Sequence, residues 1–176
     1  MPHHCLGRPD ASEYAAYYRT YIGPVADGDV LALLVAQASA FDSLRSLNES
    51  QAMQRYAPDK WSIKEVIGHV TDAERVFCYR MLRIARGDQT PLASFDQQPY
   101  VDAAKFDRLP ITSLIDAFRA TRAATLSLTC ELDDDAWRRM GTASGFPVSA
   151  RALAYIIAGH ATHHIGLLRN RYDVAV

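Results

Sequence analysis

The sequence lacks the features that mark a membrane or nucleic-acid-binding protein. No run of about 18 apolar residues occurs, which argues against a membrane-spanning helix. Acidic and basic residues nearly cancel, giving a formal net charge of −1, so no basic surface for nucleic acid is expected. The segment from Met1 to Asp10 has no apolar centre and is not expected to act as a signal peptide.

Cysteine is also scarce. Cys5, Cys78 and Cys130 are odd in number, lie far apart and form no C-x-x-C motif. This usage predicts free thiols and a cytoplasmic protein. Cys78 and Cys130 fall in helical patterns and are predicted to be small core residues.

Hydrophobic residues are abundant, at 49% of the 176 residues, against 22% charged residues. This composition and length predict one folded domain over residues 1–176. No internal repeat and no alternating strand pattern is evident, whereas apolar residues recur at helical spacing in four long segments. The sequence therefore predicts an all-α protein, a four-helix bundle with a short N-terminal helix.

Capping and stop signals set the bounds of the predicted elements. The four long helices are predicted from Asp29 to Leu47, Ser62 to Arg86, Ile111 to Glu131 and Ser149 to Tyr172. The short N-terminal helix is predicted from Glu13 to Ile22, with its tyrosines on one face.

The remaining segments connect these helices. A long connection from Gly87 to Pro110, with a helical turn predicted from Tyr100 to Phe106, joins the second and third helices. A connection of this length is usually functional or crosses the end of a bundle. After the third helix we predict a short helix capped by Asp133 and a turn region from Gly141 to Val148.

The histidines of the last helix stand out. His160 and His164 fall in the middle of its apolar stripe, about 40° apart at 100° per residue, whereas His163 falls toward the edge. Two imidazoles pointing into a core need polar partners, and one metal ion satisfies both. The alternative is a pair of core histidines bonded to a carboxylate or to water. His3 and His4 lie at the N-terminus and are assigned no role.

A third ligand is available on the second helix, where His69 borders the apolar stripe. Considered alone, His69 would be assigned to a half-exposed surface position, but bundle metal sites are built from side chains on facing helices, which favours its role as a ligand. Three neutral histidines would leave a coordination position open for water or substrate. Glu74 also lies in this stripe; Arg122 is a candidate ion-pair partner, and a catalytic acid–base role for Glu74 is the alternative.

Two segments carry a family resemblance. The run from Trp61 to Arg75, WSIKEVIGHVTDAER, and the run from Ile157 to His164, IAGHATHH, resemble the DinB/YfiT-like superfamily of metal-dependent enzymes. The resemblance implies a four-helix bundle in which His69, His160 and His164 bind one divalent metal ion, with zinc, nickel or iron as the candidates. It also implies a small-molecule substrate, such as a low-molecular-weight thiol in some members, and a homodimer.

Function is less determined than fold. The histidine pattern and the resemblance together favour a metal-dependent S-transferase that uses a small thiol, with a metal-dependent hydrolase as the alternative. A non-catalytic module that binds metal or a small molecule is a further possibility. No catalytic residue beyond the ligands can be assigned from the sequence.

Overall fold

The structure, a computed structural model, describes residues 6–26 and 28–176, so His3, His4 and Cys5 lie outside the described residues. It is mostly helical. The α-helices are α1 Arg19–Ile22, α2 Val30–Ala36, α3 Glu49–Ala52, α4 Ile63–Ala85, α5 Gln97–Ala104, α6 Ile111–Thr129, α7 Asp134–Arg138 and α8 Ala150–Arg171. Two short strands are β1 Met140–Ala143 and β2 Phe146–Ser149. None of the described helices is long and apolar enough to span a bilayer.

Four segments form the bundle, as predicted. Helix α4 packs against both α6 and α8, and α2 packs against the same two helices from the other side. The capping signals that predicted their starts are used: the Asp29 side chain accepts the Leu31 N–H, and the Ser149 hydroxyl accepts the Ala152 N–H. Ser62 and Glu65 form the predicted capping box at the start of α4.

The first bundle helix is shorter than predicted. Helix α2 ends at Ala36, and the chain continues to Ser46 through 3-10 turns at Gln37–Ser39 and Asp42–Ser46. The Leu34 carbonyl, which a continuing α-helix would pair with the Ala38 N–H, accepts a hydrogen bond of 2.9 Å from Nη1 of Arg122. A tertiary contact therefore competes with the helical pattern at this point.

The N-terminal helix also differs from the prediction. Tyr14 and Ala15 are extended, so the predicted helix is broken into two 3-10 turns followed by the short helix α1. The segment lies along α8, where Arg151 Nε donates to Glu13 Oε2 at 2.7 Å and α1 packs against the helix. Its tyrosines consequently do not share one face of a single helix.

The long connection packs against the predicted turn region. The region from Gly141 to Val148 is a β-hairpin rather than a simple turn, with Ser144 and Gly145 at φ 56° and 82°, as a two-residue primed turn requires. Leu92 of the connection pairs with Ala143 of the hairpin. Further along the connection, helix α5 begins at Gln97, earlier than the predicted turn.

The two described cysteines are free, and the predicted burial of one of them is wrong. Cys78 is half-buried, but Cys130 is exposed rather than in the core. Helix α6 ends at Thr129, and Cys130 is its C-terminal cap, so the helical pattern that predicted burial does not extend to this residue.

The core is divided by a buried polar layer. One apolar cluster includes Leu34, Phe77 and Ile156, and a second includes Phe41 and Ile165. Between them, polar side chains from α4, α6 and the segment after α2 are buried together: Gln37, Glu74, Arg122 and Thr125. A layer of this kind is stable only if every member finds a partner.

Each member of the layer is bonded. Arg122 binds Glu74 through two parallel hydrogen bonds, Nε to Oε1 at 2.7 Å and Nη2 to Oε2 at 2.8 Å. Its Nη1 donates to Gln37 Oε1 at 3.1 Å, and Gln37 Nε2 donates to the Ala158 carbonyl of α8 at 3.0 Å. Thr125 donates its hydroxyl to Glu74 at 2.8 Å. The layer therefore connects all four bundle segments.

Removal of one charge from this layer is expected to destabilise the fold strongly. Glu74→Ala leaves the Arg122 guanidinium, which is 0% exposed, without its carboxylate. We expect a loss of about 3–5 kcal/mol in the free energy of unfolding, measured by urea denaturation.

The matched control removes both charges at once. The double variant Glu74→Leu with Arg122→Met replaces the ion pair by apolar groups and is expected to recover much of the loss. An unchanged free energy of unfolding in Glu74→Ala alone would contradict this account of the layer.

Candidate metal centre and adjoining cavity

The structure brings the three predicted ligand residues together. His69 lies on α4, and His160 and His164 lie one turn apart on α8; all three side chains are buried. One ring nitrogen from each lies within 4.8 Å of the others, and the Nε2 atoms of His69 and His160 are 3.1 Å apart. In the described part of the chain this is the one cluster of three or more His, Cys, Asp or Glu residues placed to hold a metal.

Burial keeps these imidazoles neutral at neutral pH. Desolvation is the main cause that lowers the pKa of His69, to about 4, with a smaller effect from His163. Desolvation also holds the pKa values of His160 and His164 well below 6.5, and the neighbouring histidines add to the effect. The neutral form is the one whose ring nitrogen binds a metal.

The hydrogen bonding of the cluster is incomplete without a further group. Nδ1 of His164 is buried and has no hydrogen-bond partner among the described residues. Such a buried polar atom is costly, and it lies in a cluster that supplies three nitrogen donors at close range. Zinc, nickel and iron all accept imidazole ligands, so the residues present fit a divalent ion of this class.

Aromatic rings enclose the cluster. The Trp61 ring lies over His69 with ring centroids 4.6 Å apart, and the Tyr21 ring meets His160 edge-on at 5.2 Å. His163 is exposed and contacts the other side of Tyr21, at 5.7 Å. It is therefore not part of the nitrogen cluster, in agreement with its place at the edge of the helical stripe.

A cavity of about 290 Å³ adjoins the cluster, and His69 and His160 form part of its lining. Tyr18 and Tyr21 of the N-terminal segment line one side, and Phe95 of the long connection lines another. The length of this connection predicted that it is functional or crosses the end of the bundle. In the structure it supplies part of the wall beside the histidines.

Arg80 and Ser144 also line this cavity, and neither was predicted from the sequence. A signal for Arg80 was present, because it lies three residues after Phe77 and four before Ile84, on the apolar face of the same helix. Ser144 could not be found in this way, because its position depends on the hairpin that brings it to α4.

Sequence comparison identifies the family. A sequence model of the DinB superfamily matches residues 32–168, which includes all three clustered histidines. The chain belongs to the DinB superfamily. A comparison by sequence with curated proteins finds no match.

Solved structures share the fold of this DinB-superfamily chain. YfiT from Bacillus subtilis, described as a probable metal-dependent hydrolase with an unusual four-helix bundle topology, is similar with a TM-score of 0.70 and 16% identity, over 95% of this chain and 94% of YfiT. A mycothiol-dependent maleylpyruvate isomerase is similar with a TM-score of 0.64 and 19% identity, over 78% of this chain. The match covers 58% of that isomerase, which is the longer protein.

The approach of the N-terminal segment to the site depends on Gly159. A Cβ atom at this position would lie 2.1 Å from the Tyr21 carbonyl oxygen, a backbone atom that cannot move independently. We expect Gly159→Ala to push α1 away from α8 and to cost about 1–3 kcal/mol in the free energy of unfolding, measured by urea denaturation.

Gly166 on the same helix is the matched control. A Cβ atom there meets nothing within 4 Å. Gly166→Ala is expected to stabilise the helix by about 0.5–1 kcal/mol, because alanine loses less backbone entropy on folding. A Gly159→Ala variant as stable as Gly166→Ala would show that α1 does not need this close approach.

Proposed function

We propose that this DinB-superfamily protein is a metal-dependent enzyme in which His69, His160 and His164 hold one divalent ion. The observation that carries the proposal is the close approach of three buried, neutral imidazoles next to an accessible cavity. Buried histidines that served only to fill the core would need hydrogen-bond partners, which Nδ1 of His164 lacks among the described residues.

The second part of the proposal is that a small thiol reacts at this site. When bound by three neutral ligands, a divalent ion supplies Lewis acidity that lowers the pKa of a thiol or of water. Thiolate is the nucleophilic form of a thiol and a soft ligand that suits zinc. His69 and His160 line the cavity, so a thiol held in the cavity lies next to the histidine cluster.

The reaction proposed is transfer of the thiol to a carbon electrophile. The thiol loses its proton to solvent, the sulfur forms a bond to the carbon, and the bond between that carbon and the leaving group breaks, with the electron pair staying on the leaving group. The residues of the chain contribute binding and orientation: Tyr18, Tyr21 and Phe95 give the cavity aromatic walls that pack against an organic substrate and reduce its contact with water.

Hydrolysis is the second candidate. The likeness to YfiT, described as a probable metal-dependent hydrolase, extends over nearly the full length of both chains. The same histidine site could activate water instead of a thiol. The two candidates share the metal ligands and differ in the molecule that is consumed. We also propose a homodimer, from the family resemblance, and a cytoplasmic location, from the scarce and unpaired cysteines.

The metal site is tested by metal content. Protein purified without a chelator or a histidine tag is expected to carry about one zinc, nickel or iron ion per chain. His69→Ala, His160→Ala and His164→Ala each remove a ligand and should weaken metal binding by more than the roughly 10- to 100-fold that loss of an outer partner costs. Elemental analysis and competition with a chromogenic chelator provide the measurements.

His163→Ala is the control, because this neighbouring histidine is exposed and outside the nitrogen cluster. Its metal content should stay close to that of the wild type. If His163→Ala loses the metal while His164→Ala retains it, the ligand assignment on α8 is wrong.

The reaction is tested with metal-loaded protein, bacterial low-molecular-weight thiols and 1-chloro-2,4-dinitrobenzene. Formation of the thioether, followed by its absorbance, should be faster than with the His160→Ala variant and should release one chloride per thiol consumed. Model esters and amides are assayed in parallel.

The outcomes separate the candidates. Metal-dependent ester or amide cleavage without thiol consumption would replace the transferase proposal by the hydrolase. If metal-loaded wild-type protein shows neither activity over a broad panel of substrates, a non-catalytic binding module is favoured.

A further inference from the structure

Arg80 is a buried charge without a carboxylate. Its side chain is 2% exposed, and no carboxylate of residues 6–26 or 28–176 lies within 4.0 Å of it. The other buried cationic side chains are paired, Lys64 with Glu49 and Arg122 with Glu74. A buried charge is unfavourable unless it is paired and hydrogen-bonded, so the environment of Arg80 calls for an explanation.

The guanidinium is held in place but not neutralised. Its Nη2 donates to the Ala93 carbonyl at 2.6 Å and to the Ser144 hydroxyl at 3.1 Å. The Phe77 and Phe95 rings lie 5.9 and 5.7 Å from its central carbon. Apart from the nearby Tyr18 hydroxyl, Nε and Nη1 have no acceptor among the described residues. These contacts orient the group while leaving donors for a ligand.

The surrounding hydroxyls belong to the same cavity. Tyr18 and Ser144 line the cavity together with Arg80. Burial raises the pKa of Tyr18, with a smaller upward contribution from Tyr17, while Arg80 acts in the opposite direction. The Tyr18 hydroxyl therefore keeps its proton at neutral pH and can donate a hydrogen bond.

We propose that Arg80, assisted by the Ser144 and Tyr18 hydroxyls, binds a carboxylate of one of the two reactants of the histidine site. This inference rests on the proposed function, because it assigns a substrate class to the same cavity. Arginine is suited to carboxylate recognition because its charge is permanent and its donors are planar.

The geometry limits the substrate to a small organic acid. The Phe77 ring lines the cavity and is close to both groups, 5.9 Å from the Arg80 guanidinium and 6.0 Å from the His160 ring. A carboxylate at Arg80 and a reacting atom at the histidines would therefore occupy the same small cavity. The volume of about 290 Å³ also suits a small molecule.

The charged residues around Arg80 favour a ligand group with a single negative charge. Arg80 supplies one positive charge at its end of the cavity. Asp96, an exposed residue at the cavity, opposes a more highly charged anion. A monocarboxylate therefore matches the site better than a phosphate dianion does.

The hairpin and the connection are built around this position. Ser144 occupies the turn at φ 56°, which aims its hydroxyl at Arg80, and its N–H donates to the Leu92 carbonyl at 2.9 Å. The Leu92 N–H in turn donates to the Thr142 carbonyl at 2.9 Å. The residues that contact Arg80 are consequently fixed before a ligand arrives, which reduces the entropy cost of binding.

The test compares a carboxylate with its neutral analogue. 3-Phenylpropionate and 3-phenylpropionamide are titrated into the full chain, both metal-loaded and chelator-treated, and dissociation constants are obtained by NMR or calorimetry. Wild-type protein should bind the carboxylate at least about tenfold more tightly than the amide. Arg80→Gln should abolish this preference, whereas Arg75→Gln, an exposed arginine on the same helix that is paired with Asp72, should retain it.

Failure of this inference is distinguishable from failure of the proposed function. Binding is measured without metal as well as with it, so the preference should persist in chelator-treated protein and in His160→Ala even if no reaction is ever found. A preference that survives Arg80→Gln but disappears in His160→Ala would place the carboxylate at the histidines and overturn the inference. In chelator-treated protein, tighter binding of inorganic phosphate than of the carboxylate would overturn the substrate class.

Two milder variants keep the test decisive if Arg80→Gln fails to fold. Ser144→Ala and Tyr18→Phe each remove a hydroxyl without changing the charge, and folding is checked by circular dichroism. Each should reduce the carboxylate preference severalfold, and the double variant should reduce it further. An unchanged preference in the double variant would overturn the inference.

Discussion

The structure depends on one buried ion pair. Glu74 and Arg122 meet in the middle of the bundle through two parallel hydrogen bonds, and Gln37 extends the contact to α8. Apolar stripes alone allow neighbouring helices to slide by one turn, about 5.4 Å, with little loss of buried area. Such a slide would leave two buried charges unpaired, so the polar layer sets the axial register of all four segments.

The register of α8 matters because the histidines lie on it. Gln37 Nε2 donates to the Ala158 carbonyl and, at 2.9 Å, to the Thr162 hydroxyl, which flank His160 in the sequence. The same layer holds α4, which carries His69 and Arg80. A metal site needs its ligands placed within a fraction of an ångström, and the ion pair supplies rigidity from residues that do not line the cavity.

The sequence predicted the parts of the molecule that follow from local pattern. Ser62, Asp133 and Ser149 begin helices as their capping signals indicated, and the helical wheel selected the histidines that cluster. The fold class is confirmed by the family match and by the shared bundle topology. The assignment of the histidines as metal ligands stays a prediction.

What the sequence did not predict depends on contacts between distant residues. The first bundle helix ends early because the Leu34 carbonyl accepts a hydrogen bond from Arg122, 88 positions away. The strand character of residues 140–149 depends on pairing across a short turn, and their pattern is too brief to show alternation. The partners of Arg80 come from the connection and the hairpin, and no local pattern reports that they meet.

The N-terminal segment that covers His160 is joined to α8 across the whole chain, with Glu13 and Arg151 separated by 138 positions. The cavity therefore forms only when residues far apart in the chain have come together, so it is absent from the unfolded chain. A ligand of the cavity can bind the native state alone, so mass action must raise the melting temperature as its concentration rises. A rise in melting temperature thus reports binding to the native state, and libraries of small acids and thiols can be ranked by it before any reaction is known.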